Sequence, residues 1–391
     1  MTCSTPGCGV RSDLSSPVFH RDWQVTLGYA GFGLYSFCVA LLGPAVPFLR
    51  AELHLSYGTA GLHATMFALG AVVVGAAGER LTHRLGRSLT FRLGAAGTGL
   101  AVALLAAGRI PAVTLLASLL LGLGTSMLLT TAQALLSDRD GSHQRIALME
   151  AGIVSSLSGS LAGLLIGAAQ QSGPGWRAAL ILPVLGALTL TGRGSRPSTR
   201  SLTLPTTAAE PLPRPFWLAW YLVLAVVTVE WCLSFWAAAY LTSRGLTPSA
   251  AAGLFSMYLL ALLAGRLLGG VAIRRSRRPT RQLVMSALLL TAAGFSVFWL
   301  AHAPGVQLGG LLITGLGVAN LYPLTLSVAL ATAPDVADLA SVRVSLAVGL
   351  AILVAPLALG ALADRVDLQV AYGLVPCALL AALILATREP G

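Results

Sequence analysis

Lysine is absent from this chain of 391 residues, and only 10% of the residues are charged. A nucleotide-binding P-loop needs a lysine to contact the phosphates, so a pump driven by nucleotide hydrolysis is excluded. The sequence also lacks the H-E-x-x-H, G-x-S-x-G and G-x-G-x-x-G motifs of metalloproteases, serine hydrolases and dinucleotide-binding enzymes. We therefore expect neither an enzyme nor a bound cofactor.

Cysteine is scarce, with five in the whole chain. Cys3 and Cys8 lie near the N-terminus without a companion histidine or further cysteine, and Cys38, Cys232 and Cys377 fall in apolar segments. Zinc sites need clustered cysteine and histidine ligands at short spacings. The sequence therefore predicts five free thiols and no metal site.

Long apolar runs dominate what is present, because 56% of the residues are hydrophobic and the mean hydropathy is +0.80. About 20 apolar residues cross a bilayer as a helix. Twelve such runs are found, at residues 24–48, 57–78, 90–108, 111–136, 146–169, 176–191, 216–241, 249–271, 283–302, 305–331, 341–363 and 369–387. Helices satisfy the backbone inside lipid, so the sequence predicts an all-α membrane protein with twelve transmembrane helices.

All 25 basic residues are arginines, and their placement is uneven. With a cytoplasmic N-terminus, 19 lie in the tails, the even-numbered loops or the span ends beside them, and Arg266 lies deeper in a span. The odd-numbered loops and the span ends beside them hold five: Arg50, Arg109, Arg177, Arg244 and Arg365. The positive-inside rule then places both termini in the cytoplasm, with the chain in the inner (plasma) membrane. Because the net charge of +11 is spread over loops, we expect a lipid membrane and no nucleic acid as partner.

The chain repeats itself at an offset of 192 to 193 residues. Gly122-Leu123-Gly124 falls on Gly315-Leu316-Gly317, and the segment 60–62 falls on 252–254. Six spans separate equivalent positions, so the halves have the same orientation, as in parallel-repeat transporters. The predicted domains are an N-terminal tail, a first six-helix bundle, a proline-rich cytoplasmic linker and a second pseudo-symmetric six-helix bundle, at residues 1–23, 24–192, 193–214 and 215–391.

The segment 79–87 resembles the signature G-x-L-A-D-R-x-G-R between helices two and three of the major facilitator superfamily. Leu81, Arg84, Gly86 and Arg87 match it, and His83 stands where the acidic residue is expected. In the family this loop holds the cytoplasmic side closed by contacts to the eleventh transmembrane helix. The resemblance implies the major facilitator fold, alternating access and a small-molecule solute, and it makes His83, Arg84, Gly86 and Arg87 candidates for a cytoplasmic gate. We expect a monomer.

Within the superfamily, Glu230, Trp236 and Tyr240 in the seventh span and Gly265-Arg266 in the eighth resemble fucose permease-like sugar–proton symporters. This resemblance implies proton-coupled uptake of a sugar-like solute. Proton-coupled efflux of a drug or metabolite stays open as an alternative, because few polar residues are available for a cavity. A non-transporting membrane sensor or a membrane enzyme is a more distant alternative.

Glu230 is the only acidic residue predicted deep in the membrane. A charged group there is costly unless it faces a cavity or a partner, and burial disfavours the ionised carboxylate. We therefore predict that Glu230 exchanges a proton during transport. The alternative is a protonated carboxyl that hydrogen-bonds two helices together.

Other polar and aromatic residues in the spans are candidates for lining a solute cavity: Gln133, Asn320, Ser126, Tyr35, Trp231, Trp236 and Tyr322. For Ser126, close helix packing through a small side chain is the alternative. Glu150 and Arg343 occupy positions 193 residues apart and are predicted to pair in a cytoplasmic gate, with two hydrated interfacial charges as the alternative. Arg266 is predicted to extend to the cytoplasmic interface.

Overall fold

The computed structural model describes residues 22–138, 141–192, 212–276 and 278–388, and these ranges contain helices and no strand. The predicted tail 1–23 and linker 193–214 lie almost wholly outside the described residues. The all-α fold class predicted from the apolar runs is confirmed. Eleven of the described helices are long and apolar enough to cross a membrane, and the shorter apolar segment Trp176–Thr191 is the twelfth span.

The first half contains six spans, and the sixth begins with a 3₁₀ turn at Trp176–Leu180. Its α-helices are α1 (Trp23–Leu53), α2 (Tyr57–Leu85), α3 (Arg87–Ala107), α4 (Pro111–Ser137), α5 (Gly141–Gln171) and α6 (Ile181–Thr191). The second half has α7 (Arg214–Ser243), α8 (Pro248–Arg275), α9 (Thr280–Leu300), α10 (Pro304–Val318), α11 (Leu321–Ala331), α12 (Ala337–Val366), α13 (Leu368–Ala371) and α14 (Leu374–Arg388). We call the side where α1 begins and α14 ends the terminal face, and the opposite side the distal face.

The tenth span, predicted over 305–331, is one apolar segment over Pro304–Ala331, but its helix is interrupted. Asn320 separates α10 from α11, with φ −111° and ψ 0°. Pro323, in the first turn of α11, lacks the N–H that a continuous helix would need. The Asn320 amide donates to the Gly265 carbonyl of α8 at 2.7 Å. The break is thus held by a side-chain hydrogen bond to a neighbouring helix.

The repeat predicted from the sequence is visible in the packing of equivalent helices. In the first half Gly124 of α4 lies against Thr98 of α3, so closely that a Cβ would sit 2.5 Å from the Thr98 nitrogen. In the second half Gly317 of α10 lies in the same way against Thr291 of α9, where the corresponding distance is 2.6 Å. The two residues of the second pair lie 193 positions after the corresponding residues of the first pair. The two halves therefore repeat one helix arrangement at residue level.

The halves meet through two equivalent helix pairs, α2 with α12 and α5 with α8. A Cβ on Gly360 would lie 2.5 Å from the Tyr57 carbonyl, and one on Gly167 would lie 2.7 Å from the Ser249 carbonyl. Glycine at both crossings lets the backbones approach closely, as is common in membrane bundles. Both crossings lie near the distal ends of their helices, so the halves are joined at the distal face.

Hydrogen bonds reinforce only one of these crossings among the described residues. The Asp364 carboxylate of α12 accepts from the backbone N–H groups of Tyr57 at 2.6 Å and Gly58 at 2.8 Å, at the start of α2. The Thr65 hydroxyl donates to the Leu353 carbonyl at 2.8 Å. All three bonds lie on the distal side of the membrane-spanning region.

Candidate solute-binding cavity

A cavity of about 290 Å³ lies between the two halves, bounded by α1, α5, α7 and α8. It is closed toward the distal face where Gly43 of α1 touches the Ser234 carbonyl of α7. Arg266, which lines it on α8, is exposed, so the cavity opens toward the terminal face. The polar side chains that line it are Tyr35, Ser36, Ser155, Ser156, Glu230, Ser234 and Arg266.

Glu230 lies on this cavity at mid-length of α7, as the sequence predicted for a residue at the centre of the span. Its carboxyl group is half-buried and makes no hydrogen bond or ion pair with any residue in the described ranges. The interhelical hydrogen bond that the structural alternative requires is therefore not part of this conformation. A carboxyl group in this position is available to a proton or a solute.

Arg266 lines the same cavity, which corrects the prediction that it extends to the membrane interface. Side chains on a helix tilt toward its N-terminus, and the N-terminus of α8 is at the distal face. The guanidinium of Arg266 is thereby directed into the cavity, within electrostatic reach of the Glu230 carboxyl group. Sequence reasoning missed this residue because the length of an arginine side chain permits either direction.

Three tyrosines from three helices lie near the Glu230 carboxyl group. Tyr35 of α1, Tyr258 of α8 and Tyr322 of α11 all lie within electrostatic reach of Glu230. Tyr35 lines the cavity itself. Tyr258, which was not predicted, is fully buried beside Ser234. Of the predicted residues, Tyr35 thus shares the cavity with Glu230, whereas Tyr322 is not among the described residues that line it.

The two predicted tryptophans of α7 have different environments. Trp231 lines the cavity and stacks on Phe67 of the other half, with ring centroids 6.2 Å apart. Trp236 is fully buried, and its indole nitrogen donates to the Pro356 carbonyl at 2.9 Å. The prediction that Trp236 lines the cavity is corrected. Five residues turn an α-helix by about 140°, so both rings cannot point into one cavity.

The predicted amides and serine do not join this cavity. Asn320 is used to hold the helix break through its bond to Gly265, which corrects its prediction as a lining residue. Gln133 is exposed on α4 and Ser126 is half-buried there, and neither is among the described residues that line the cavity.

Among the described residues, Arg87 and Glu150 each bond to a side chain of their own half. Arg87, at the start of α3, forms an ion pair of 2.6 Å with Asp138, at the end of α4. The Glu150 carboxylate accepts from the Tyr29 hydroxyl of α1 at 2.6 Å. Arg343 is exposed, and only its backbone carbonyl is bonded, to the Trp220 indole at 2.7 Å. Glu150 and Arg343 are therefore not paired here.

The loop between α2 and α3 is tight. His83 and Arg84 are exposed on the last turn of α2, and Gly86 has φ +79°, a conformation that favours glycine. The glycine of the signature thus has a backbone reason to be there. His83 and Arg84 lie at the terminal face, and the contacts to the eleventh span implied by the resemblance stay a prediction.

The sequence model of the Major Facilitator Superfamily matches residues 28–341 of the chain. No curated protein matches it. Among solved structures, a bacterial homolog of the human lysosomal transporter Spinster, in an inward-facing and unoccupied conformation, is 16% identical with a TM-score of 0.69, covering 94% of this chain and 93% of that one.

Two further solved structures are similar in fold. A nucleoside transporter is 11% identical with a TM-score of 0.74, covering 94% of this chain and 99% of that one. A D-xylose–proton symporter is 15% identical with a TM-score of 0.70, covering 94% and 97%. At such identities these likenesses show the fold alone. The match over residues 28–341 shows the family as well, and the chain belongs to the Major Facilitator Superfamily of membrane transporters.

Proposed function

We propose that this transporter couples the uptake of a small, sugar-like solute to protons, with Glu230 as the proton-exchanging group. The observation that carries the proposal is the position of Glu230, on the central cavity, with no bonded partner among the described residues. A transporter that runs on a proton gradient needs a titratable group that each side of the membrane reaches in turn. Glu230 is the acidic residue that lines this cavity.

The solute class follows from the lining. The cavity of about 290 Å³ carries hydroxyl groups from Tyr35, Ser36, Ser155 and Ser156, and the aromatic face of Trp231. Hydroxyl and aromatic groups together suit a small polyhydroxylated solute. Efflux of a drug or metabolite is the second candidate, and it fits less well because seven polar side chains, including Glu230 and Arg266, line this small cavity beside its apolar ones.

The membrane orientation is also part of the proposal. The arginine asymmetry of the sequence places the terminal face in the cytoplasm of a cell whose inner (plasma) membrane holds the chain. The cavity then faces inward, and the distal crossings form the closed outer gate. Opening of these crossings, with closure of the terminal face by residues such as Glu150 and Arg343, gives the outward-facing state. A single chain contains both halves and the whole cavity, which supports a monomer.

Glu230→Gln tests the coupling. The amide keeps the shape of the side chain but cannot titrate. In proteoliposomes with an inwardly directed proton gradient, and with labelled pentoses, hexoses and sugar acids as solutes, we expect the variant to lose accumulation above equilibrium. It should retain exchange of labelled for unlabelled solute, because exchange needs no net proton movement.

Asp335→Asn is the matched control, since Asp335 is an exposed acidic residue in the connection before α12. It should accumulate solute like the wild type. Unchanged gradient-driven accumulation by Glu230→Gln would reject the coupling role. Outward movement of the solute, driven by an inwardly directed proton gradient, would instead support efflux.

A further inference from the structure

The guanidinium of Arg266 is a cation on the central cavity with no bonded partner among the described residues. It has five N–H donors and makes no hydrogen bond or ion pair with the residues that the structure describes. An arginine within a membrane span is costly unless it faces water or a partner of opposite charge. A structural role would show as a bond to a carbonyl or a carboxylate, as it does for Arg177 and Arg281.

The charged and titratable groups around Arg266 are few. Glu230 of α7 and Tyr258 of α8 lie within electrostatic reach of it, and Tyr35 of α1 lines the same cavity. Helix α5 contributes only the hydroxyls of Ser155 and Ser156 to the cavity. One carboxyl group and one guanidinium are therefore the only strong charges on its described lining, and they do not form a direct ion pair.

We propose that Arg266 binds a carboxylate of the solute, so that the transporter carries a small hydroxylated organic anion, such as a sugar acid or a hydroxy acid. This inference rests on the proposed function, because it uses the same cavity and the same proton site. The guanidinium presents parallel N–H donors that match the two oxygens of a carboxylate. The hydroxyl groups on α1 and α5 face the remainder of the solute.

The arrangement also links solute binding to protonation. An ionised Glu230 repels an incoming carboxylate and competes with it for Arg266, whereas a protonated Glu230 does neither. The proton comes from water on the outer side, resides on the Glu230 carboxyl group during passage and is released to water on the inner side. One anion and one proton together move no net charge. A neutral sugar with one proton would move one positive charge.

Binding to the purified full-length protein tests the assignment. The probes are D-glucuronate, D-gluconate and D-lactate, each compared with an uncharged counterpart: D-glucose, D-glucitol and lactamide. Thermal shift and calorimetry measure binding at an acidic and at a neutral pH. We expect at least one acid to bind and its counterpart not to bind. In the range where Glu230 is ionised, affinity should rise about tenfold for each unit by which the pH falls, as one linked proton requires.

Three variants separate recognition from folding. Arg266→Gln should weaken binding of the acid by about tenfold to a hundredfold, the cost of losing a charged hydrogen-bonding partner. Arg266→Lys should restore part of the affinity because it restores the charge. Arg275→Gln removes one exposed arginine from the end of the same helix and should bind like the wild type. A monodisperse elution profile and an unchanged melting temperature without probe establish that each variant is folded.

The outcomes distinguish this inference from the proposed function. The anion assignment is overturned if uncharged probes bind as well as the acids, if no acid in the panel binds, or if Arg266→Gln binds the acids like the wild type. Glu230→Gln should bind the acid without pH dependence. If wild-type binding of the acid is itself independent of pH, the coupling role of Glu230 fails while the role of Arg266 stands.

Discussion

Asp364 is a single residue that joins the two halves of the transporter. Its carboxylate accepts two hydrogen bonds from the first N–H groups of α2, across the contact between α2 and α12. These N–H groups have no partner within their own helix, and the N-terminus of a helix favours a negative charge. The bonds exist only when the distal face is closed, so they stabilise this conformation relative to the one in which the distal face is open.

Asp364→Ala should therefore shift the equilibrium toward the state with an open distal face. The loss of charged hydrogen bonds costs about 1.5 to 3 kcal/mol, which changes the ratio of the two states by roughly tenfold to a hundredfold. A cysteine in place of Ser256, in a chain with its other cysteines replaced, reports the change, because Ser256 is fully buried against α5 when the distal face is closed. An impermeant thiol reagent should label it faster in the variant.

Asp367→Ala is the control for the Asp364→Ala substitution. The Asp367 carboxylate accepts from the backbone nitrogen of Val370 in its own half, at 2.9 Å, and does not reach α2. Its loss should leave labelling at position 256 unchanged. Equal labelling in Asp364→Ala and the parent chain would show that the two bonds to α2 do not control the distal face.

At the scale of helices, α1 and α7 approach each other closely at Gly43. A side chain there would overlap the Ser234 carbonyl, which is backbone and cannot turn aside. The overlap arises only while the two helices are in contact at the distal side of the cavity. Glycine at this position is thus a requirement of the closed state.

Gly43→Ala should destabilise the distal-closed conformation by about 1 to 3 kcal/mol, the usual cost of overpacking. Labelling of the Ser256 cysteine should increase, and the melting temperature of this conformation should fall. Gly152→Ala is the matched control, since a Cβ on Gly152 of α5 meets no atom within 4 Å. A Gly43→Ala protein with the labelling rate of this control would contradict the close contact.

The sequence could not predict which face of each helix meets lipid and which meets the protein interior. Hydropathy identified the spans, but lipid and protein interior are equally apolar, so an apolar residue gives no sign of which of them it faces. Trp231 and Trp236 therefore looked alike in the sequence and proved to have different roles. Asn320 was found as the single asparagine of the chain, yet only its neighbour Gly265 on another helix explains its position.

For the whole molecule, the duplication was predictable because it leaves a constant register in the sequence. The same register appears in the packing, where Gly124 lies against Thr98 and Gly317 lies against Thr291. The relative position of the two halves was not predictable, since it depends on contacts such as Asp364 with α2 that occur once and have no counterpart in the repeat. The place of Glu230 in mid-span was predictable from the sequence, whereas the place of Arg266 on the same cavity was not.

The orientation in the membrane is a prediction for the whole molecule. A single cysteine in place of Arg275, at the terminal end of α8, should react with an impermeant thiol reagent only after the cells are opened. One in place of Arg109, between α3 and α4 at the distal face, should react in intact cells. Both positions are exposed, so access to the membrane side decides the result. The opposite pattern would invert the proposed topology.

The shortness of the sixth span has a consequence for the surrounding bilayer. Its apolar stretch lies between Arg177 and Arg193, and Arg177 is fixed at the distal side by bonds to the carbonyls of Leu105 and Ala106, at 2.7 Å each. One 3₁₀ turn of five residues and eleven α-helical residues rise about 26 Å, less than the roughly 30 Å of hydrocarbon in a typical bilayer.

The side chains of α6 that face outward, among them Leu182 and Leu188, are exposed and meet acyl chains directly. Lipid beside this helix must thin to match it, and hydrophobic mismatch of this kind costs a fraction of a kcal/mol per ångström. Any change in the tilt of the first half during transport changes that mismatch. The acyl-chain length of the host membrane is therefore coupled to the balance between the two conformations, on one flank of the protein only.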